Sequence, residues 1–155
     1  MTMFPEMTQN NPPTTPVAIE DFERDRGLVL PRRYKDFLLA TNGGIPETPA
    51  FPVEGMASTQ VWVIQAFFGI GVREPTNELA YGYDLYAGGI PQEIVPIAAD
   101  GMGNYVCLDL RKGADRVTFW DKRHFWSTGE WRESDLYHVA NSFEEFLKSL
   151  RANPY

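Results

Sequence analysis

The alternation of apolar and polar positions divides the chain into short, well-punctuated elements. Thr15-Pro16 reads as an N-cap followed by a proline in the first turn. Ile19 and Phe22 fall on one face, with Glu20, Asp21, Glu23, Arg24 and Asp25 outside it, and Gly27 can take the left-handed conformation that ends a helix. Leu28 to Leu30 is a short extended link, because the residue before Pro31 is disfavoured in a helix. Pro31 opens a second helix with Tyr34, Phe37, Leu38 and Thr41 as its apolar stripe, and Asn42-Gly43-Gly44 stops it. Pro46 to Gly55 reads as a proline-rich loop with a short strand near Phe51 to Val53. Gln60 to Phe68 is β-branched and aromatic, which predicts one strand closed by Gly69 and Gly71.

Thr76 can cap a third helix from Asn77 to Tyr86, with Leu79, Tyr83 and Tyr86 on one face and Gly82 weakening it. Gly88-Gly89-Ile90-Pro91 ends that helix. A meander then follows. Ile94 to Ala98 is a strand whose Pro96 suits a sheet edge or a bulge. Asp100 to Asn104 is a turn, Tyr105 to Leu110 a strand, Arg111 to Asp115 a turn, and Val117 to Asp121 an alternating strand. Lys122 to Ser134 reads as irregular and holds Trp126 and Trp131. Ser142-Phe-Glu-Glu145 is a capping box, and Phe143, Phe146, Leu147 and Leu150 form the apolar face of a last helix. The order predicts an α+β single domain over residues 15–152. It is a mainly antiparallel sheet of about four to six strands, packed by N-terminal helices and a C-terminal helix. Residues 1–14, with Pro5, Pro12 and Pro13 among Thr, Gln and Asn, read as a disordered leader.

Composition adds function classes to exclude. The chain has 155 residues, 14 Lys and Arg against 21 Asp and Glu, and a net charge of −7. An acidic surface opposes the phosphate contacts that general nucleic-acid binding needs, and it disfavours an anionic membrane surface. A basic protein is the partner such a charge can steer. Cys107 is the sole cysteine, so an internal disulfide and multi-cysteine metal sites are excluded, and a small buried hydrophobe is its simplest reading. The N-terminus has no basic residue or apolar core of a secretory signal, and no window is long enough for a transmembrane helix, so cytoplasmic residence is the expectation.

The acids are not spread evenly. Residues 74–110 hold Glu74, Glu78, Asp84, Glu93, Asp100 and Asp109 with no Lys or Arg, together with Tyr81, Tyr83, Tyr86 and Tyr105. A solvated acidic surface is the simpler reading. A protein-binding face is the sharper one, because tyrosine supplies contact area at low entropy cost beside steering charge.

Three separated motifs carry a resemblance. The first runs from Ile19 through Gly27, Pro31, Tyr34, Phe37 and Leu38 to Asn42-Gly43-Gly44. The second is Ile97-Ala-Ala-Asp100-Gly-Met-Gly103-Asn104-Tyr-Val-Cys-Leu-Asp109, followed by Val117-Thr-Phe-Trp120-Asp121. The third is Val139-Ala-Asn-Ser142-Phe143-Glu-Glu-Phe146-Leu147. Their order and spacing resemble the SUKH superfamily, in the branch named after the fungal Smi/Knr cell-wall regulators, across residues 16–150. Each motif also has a folding account. Glycines and Pro31 shape the helix ends, Asp100 and Asn104 hold a turn, Ser142 caps a helix, and Phe143 and Phe146 fill a core.

The resemblance implies a protein-binding module with no cofactor. Bacterial members are often immunity proteins that bind a toxin domain, many of them nucleases. Fungal members are regulators, so an intracellular regulatory or scaffold protein without a toxin partner is the alternative. The partner-binding candidates are Glu74, Glu78, Tyr81, Asp84, Tyr86, Glu93, Asp100 and Trp126.

Catalytic chemistry has little to build on. Asp100, Asp109 and Asp121 could converge on Mg²⁺ or Ca²⁺, yet Asp100-Gly-Met-Gly-Asn104 lacks the later glutamate of a calcium loop. Ser127 or Ser142 with His124 or His138 lacks a nucleophile elbow. Gly101 and Gly103 are not followed by the Gly-Lys-Ser/Thr of a phosphate loop. The expectation is therefore no enzyme, no metal and no catalytic residue.

Overall fold

The computed structural model describes residues 4–56 and 61–155. Helix α1 spans Pro16–Arg26, with the Thr15 side chain accepting from the Ala18 amide and Gly27 ending it at φ 65°. Helix α2 spans Arg32–Thr41 behind Pro31 and ends at Asn42, also left-handed at φ 51°. Both boundaries follow from the caps that the sequence places there. Two short ladders surround the main sheet: β1 (Met7–Gln9) pairs with β2 (Ile45–Pro46), and β3 (Ala50–Phe51) pairs with β4 (Trp62–Val63).

The principal sheet is antiparallel in the order β5 (Ala66–Phe67), β6 (Ile94–Ala99), β7 (Tyr105–Asp109), β8 (Arg116–Trp120) and β9 (Leu136–Ala140). Helix α3 (Leu79–Leu85) precedes β6, α4 (Arg123–Thr128) follows β8, and α5 (Phe143–Ser149) follows β9. The architecture is a single-domain α+β fold.

Both faces of the sheet are covered, which is why β6 to β8 read as apolar runs rather than as clean alternation. One face carries Phe67, Ala98, Val106 and Phe119 across aligned positions. It meets α2 and α5 through edge-on aromatic pairs, Phe67 with Phe37 at 5.0 Å and Phe67 with Phe146 at 6.3 Å, while Phe37 and Phe143, at 5.3 Å, join the two helices. The opposite face carries Ala66, Ala99, Tyr105 and Trp120 in a second aligned row. There Tyr86, at the end of α3, and Phe125 of α4 pack on Trp120 at 5.1 and 5.4 Å.

Four expectations change. The Gln60–Phe68 strand is two strands, β4 and β5, separated at Ile64-Gln65, because each pairs with a different partner; Gln60 lies outside the described residues. The third helix begins at Leu79 and not at Asn77, with Glu78 in place of Thr76 at its N-cap, because Pro75–Asn77 forms a separate 3₁₀ turn. Pro96, by contrast, meets the bulge alternative, in a central strand where the β6–β7 register shifts between Pro96 and Ala98. The segment from Lys122 contains α4 and a 3₁₀ turn at Glu133–Asp135. It leads into β9, which pairs with β8 from Trp120–Leu136 to Val117–Ala140.

The fourth change concerns the leader. Where residues 1–14 read as disordered, Met7–Gln9 is paired to β2, and the Phe4 ring sits 5.7 Å from Phe37. The Asn11 side chain donates to the Asn42 carbonyl at 2.8 Å. The buried Asn42 side chain in turn donates to the Pro12 and Ile70 carbonyls, both at 2.7 Å, and accepts from the Ile70 amide at 2.9 Å. Asn42 thus ties the leader, the end of α2 and the loop after β5 into one junction. A Cβ on Gly43 would collide with the Phe67 and Phe68 carbonyls, and one on Gly44 with the Gln9 carbonyl. The Asn-Gly-Gly motif is a close-approach device as well as a helix stop.

Candidate functional site

The connection from β6 to β7 is held from within. Asp100 Oδ1 accepts from the Met102 and Asn104 amides at 2.8 and 3.0 Å, and its Oδ2 accepts from Asn104 Nδ2 at 3.0 Å. Asn104 Oδ1 then accepts from the Lys122 amide at 3.0 Å, joining the turn to the end of β8. Gly101 and Gly103 have φ of 81° and 94°, which only glycine adopts readily. The Trp126 ring lies so close over Gly103 that a Cβ there would enter it. The Asp-Gly-x-Gly-Asn motif therefore builds a rigid platform for a tryptophan.

Opposite this turn stands α3. Between them lies a groove of about 310 Å³, walled by Tyr81 and Leu85 on one side and by Gly101, Gly103 and Asn104 on the other. Ala99 and Gln65 lie along it, and Tyr86, Tyr105 and Lys122 form its floor. Tyr81 and Leu85 are four residues apart, so they share a helix face distinct from the buried one of Leu79 and Tyr83. Both are exposed, at 45% and 57%, as are Met102 at 73% and Trp126 at 59%. Tyr81 and Leu85 line the groove and Trp126 rests on Gly103 at its far wall, so exposed apolar and aromatic surface adjoins the concavity, a composition suited to binding.

The floor has an unusual electrostatic arrangement. Lys122 is 3% exposed and forms no carboxylate salt bridge among the described residues. Its Nζ donates to Tyr86 Oη at 2.9 Å and sits 3.5 Å from the Tyr105 ring centroid. The Tyr86 and Trp126 rings stand at 4.7 and 5.3 Å. Burial pulls the ammonium below the usual lysine range, partly offset by its bond to Tyr86. Burial also pushes the Tyr105 phenol up.

The candidates named from sequence separate into two groups. Tyr81 and Trp126 face solvent at the groove, and Glu74 is exposed just before the 3₁₀ turn whose Thr76 and Asn77 line it. The others, Glu93 apart, have partners within the fold. Tyr86 is buried beneath Lys122. Asp100 holds its own turn. Glu78 Oε1 accepts from the Gly71 and Val72 amides at 2.8 and 3.2 Å. Asp84 is paired with Arg26 through two bonds of 2.9 and 2.8 Å. Glu93 is exposed at the other end of β6, about 20 Å from Asp100 at the rise of a strand.

Leu85, Met102 and Lys122 were not legible as site residues. The i, i+4 spacing of Tyr81 and Leu85 was the available signal for the first. Nothing local marks Lys122, whose aromatic neighbours come from α3, β7, β8 and α4.

The chemistry weighed from sequence meets other partners. Asp109, at the opposite end of β7 from Asp100, binds Arg111 at 2.8 Å and Arg116 at 2.9 Å. Burial pushes its carboxyl up, but these guanidinium groups outweigh it and the net direction is down. Arg123 grips Asp121 at 2.7 Å and lowers it likewise. Ser142 Oγ accepts from the Glu145 amide, completing the N-cap of α5, and Ser127 Oγ donates to the Arg123 carbonyl. His124 Nε2 meets Thr128 Oγ1 at 3.2 Å. Cys107 is fully buried, which pushes its thiol pKa up and disfavours the thiolate. Among the described residues no three His, Cys, Asp or Glu side chains gather as a metal set, and no helix is long and apolar enough to cross a membrane.

Comparison with known proteins places the chain among relatives by sequence. The chain is 30% identical over 151 residues to the SPbeta prophage-derived uncharacterized protein YokK of Bacillus subtilis (strain 168), covering 88% of this chain and 74% of that one. The sequence model of the SMI1 / KNR4 family (SUKH-1) matches residues 13–149, from just before the Thr15 cap through the final helix. The chain belongs to the SMI1 / KNR4 family (SUKH-1).

Proposed function

We propose that this protein is an immunity-type binding module that acts in the cytoplasm by docking a toxin domain on the groove between α3 and the Asp100–Asn104 turn. The observation that carries the reading is the exposed pair Tyr81 and Leu85 on the wall of the groove, with exposed Trp126 seated on Gly103 of the facing turn, beside a floor fixed by buried hydrogen bonds. Preorganised aromatic anchors of this kind lose little side-chain entropy on binding. The net charge of −7 favours a basic partner, such as a nuclease domain whose own surface attracts phosphate. Family membership supports a protein partner over a small substrate. Ser127, Ser142, His124, Asp100, Asp109 and Asp121, weighed above for catalysis, have structural partners, which supports action by binding.

The test uses the protein encoded immediately upstream of this gene. Its C-terminal domain is expressed in a susceptible host with and without this chain. The reading predicts growth arrest that the chain relieves, and a complex of the two on gel filtration. A harmless upstream product, or toxicity that persists without complex formation, contradicts it.

A further inference from the structure

The groove holds a cation that the fold does not use up. An ammonium group has three N–H donors. Lys122 directs one to Tyr86 Oη, and the Tyr105, Tyr86 and Trp126 ring centroids stand 3.5, 4.7 and 5.3 Å from Nζ, while the residue also lines the groove. Ring faces attract a cation, yet they supply no compensating negative charge. A buried charge without a counterion is costly, and the usual remedy is a paired carboxylate. Here the nearby Asp100 has both oxygens committed to its own turn. Burial of Lys122 against these rings has already removed its water. A carboxylate arriving from the groove would therefore face the full charge at low dielectric without further desolvation of the lysine.

We propose that Lys122 and Tyr86 form a carboxylate-receiving subsite at the floor of the groove, which takes an acidic side chain of the bound protein between the Tyr81–Leu85 wall and the Asp100–Asn104 turn. This rests on the protein-binding reading and sharpens it. The net charge of −7 acts at long range on the whole partner, whereas Lys122 acts only on the one group that enters the groove. Among the described residues, Lys122 is the only Lys or Arg lining the groove, so the subsite gives register where the overall charge gives only attraction. A partner with a basic surface and a single Asp or Glu at the centre of its contact fits both.

The experiment uses the full chain with sodium acetate as the probe, and sodium chloride and acetamide as controls at matched ionic strength. Nitrogen-15 spectra report the Lys122 Nζ and the Trp126 indole. Acetate is expected to shift both in a saturable way, with a midpoint of about 10–100 mM, the range of one charge-assisted hydrogen bond. Chloride and acetamide should give no saturable shift, and Lys122→Met should abolish the Trp126 response to acetate. A linear response, or the same response to acetate and chloride, overturns the subsite. A Trp126 response that survives in Lys122→Met does so as well. The comparison on the parent protein decides the matter even if Lys122→Met does not fold. Protection of cells by the chain is read separately, so a failed subsite and a failed immunity reading are distinguishable.

Discussion

Replacing Gly103 with alanine tests whether the Asp-Gly-x-Gly-Asn motif exists to seat Trp126. Two separate penalties follow from the structure. The first is conformational: Gly103 sits at φ 94°, and an L-residue held there loses about 1–2 kcal/mol. The second is steric: the new Cβ would overlap the Trp126 ring, which must swing away. With 59% of its surface exposed, that ring hides about 90 Å², about 2 kcal/mol at the usual coefficient for apolar burial. Gly103→Ala should therefore cost about 3 kcal/mol and Trp126→Ala about 2 kcal/mol. The double variant should cost about 3 kcal/mol and not their sum, because the second penalty vanishes once the ring is gone. Urea unfolding followed by circular dichroism gives all three values. On heating, Gly103→Ala should lower Tm by about 6–12 °C for a domain of this size. Equal costs for Gly103→Ala in the two backgrounds would refute the claim that the tryptophan explains the glycine.

Other consequences can be checked on the isolated protein. Asn42→Ala removes three buried side-chain hydrogen bonds and a residue that tolerates φ 51°, so unfolding stability should fall by about 3–4 kcal/mol. Asn42→Gly should recover about 1 kcal/mol of that by restoring the backbone preference. Deleting residues 1–11 removes β1, the Phe4 contact and Asn11, so Tm should drop by several degrees; no change would mean that the leader contributes nothing. Asp109 is held below the ordinary carboxylate range, so its contribution is fully present above the unfolded value of about 3.9 and is lost as pH falls through the lower folded value. Asp109→Asn should cost about 2 kcal/mol at pH 7, and less stability should then be lost between pH 4 and pH 2 than in the parent.

Much of the fold was readable because its boundaries are written locally. Thr15, Gly27, Pro31, Asn42 and Ser142 act through their own caps and turns, and the structure places helix ends where those residues stand. The features that escaped depend on remote partners. The leader is polar and proline-rich, and only β2, about 37 residues on, gives it a ladder. Leu136–Ala140 becomes a strand because β8 offers an edge. The same limit governs the site. The acidic segment is continuous in sequence, yet Arg26 and Arg111 reach Asp84 and Asp109 from outside it, and Glu78 turns inward to backbone amides. The acidic segment includes the α3 wall of the groove, yet Glu78, Asp84, Asp100 and Asp109 are engaged within the fold, and the side chains that α3 turns to water there are Tyr81 and Leu85. The paired roles of Asp100 and Gly103 were legible as a turn, but their service to Trp126 was visible only once α4 had a place.

The central claim is that the partner docks on the α3 and Asp100–Asn104 face. The most direct measurement is calorimetric affinity for the cognate domain with Tyr81, Met102 and Trp126 each changed to alanine, and Glu145→Ala on α5 as the control. Loss of about 2 kcal/mol at Tyr81 or Trp126, about thirtyfold in Kd, with Glu145→Ala within twofold of the parent, is the result this account predicts. Unchanged affinity in all three face variants would contradict it.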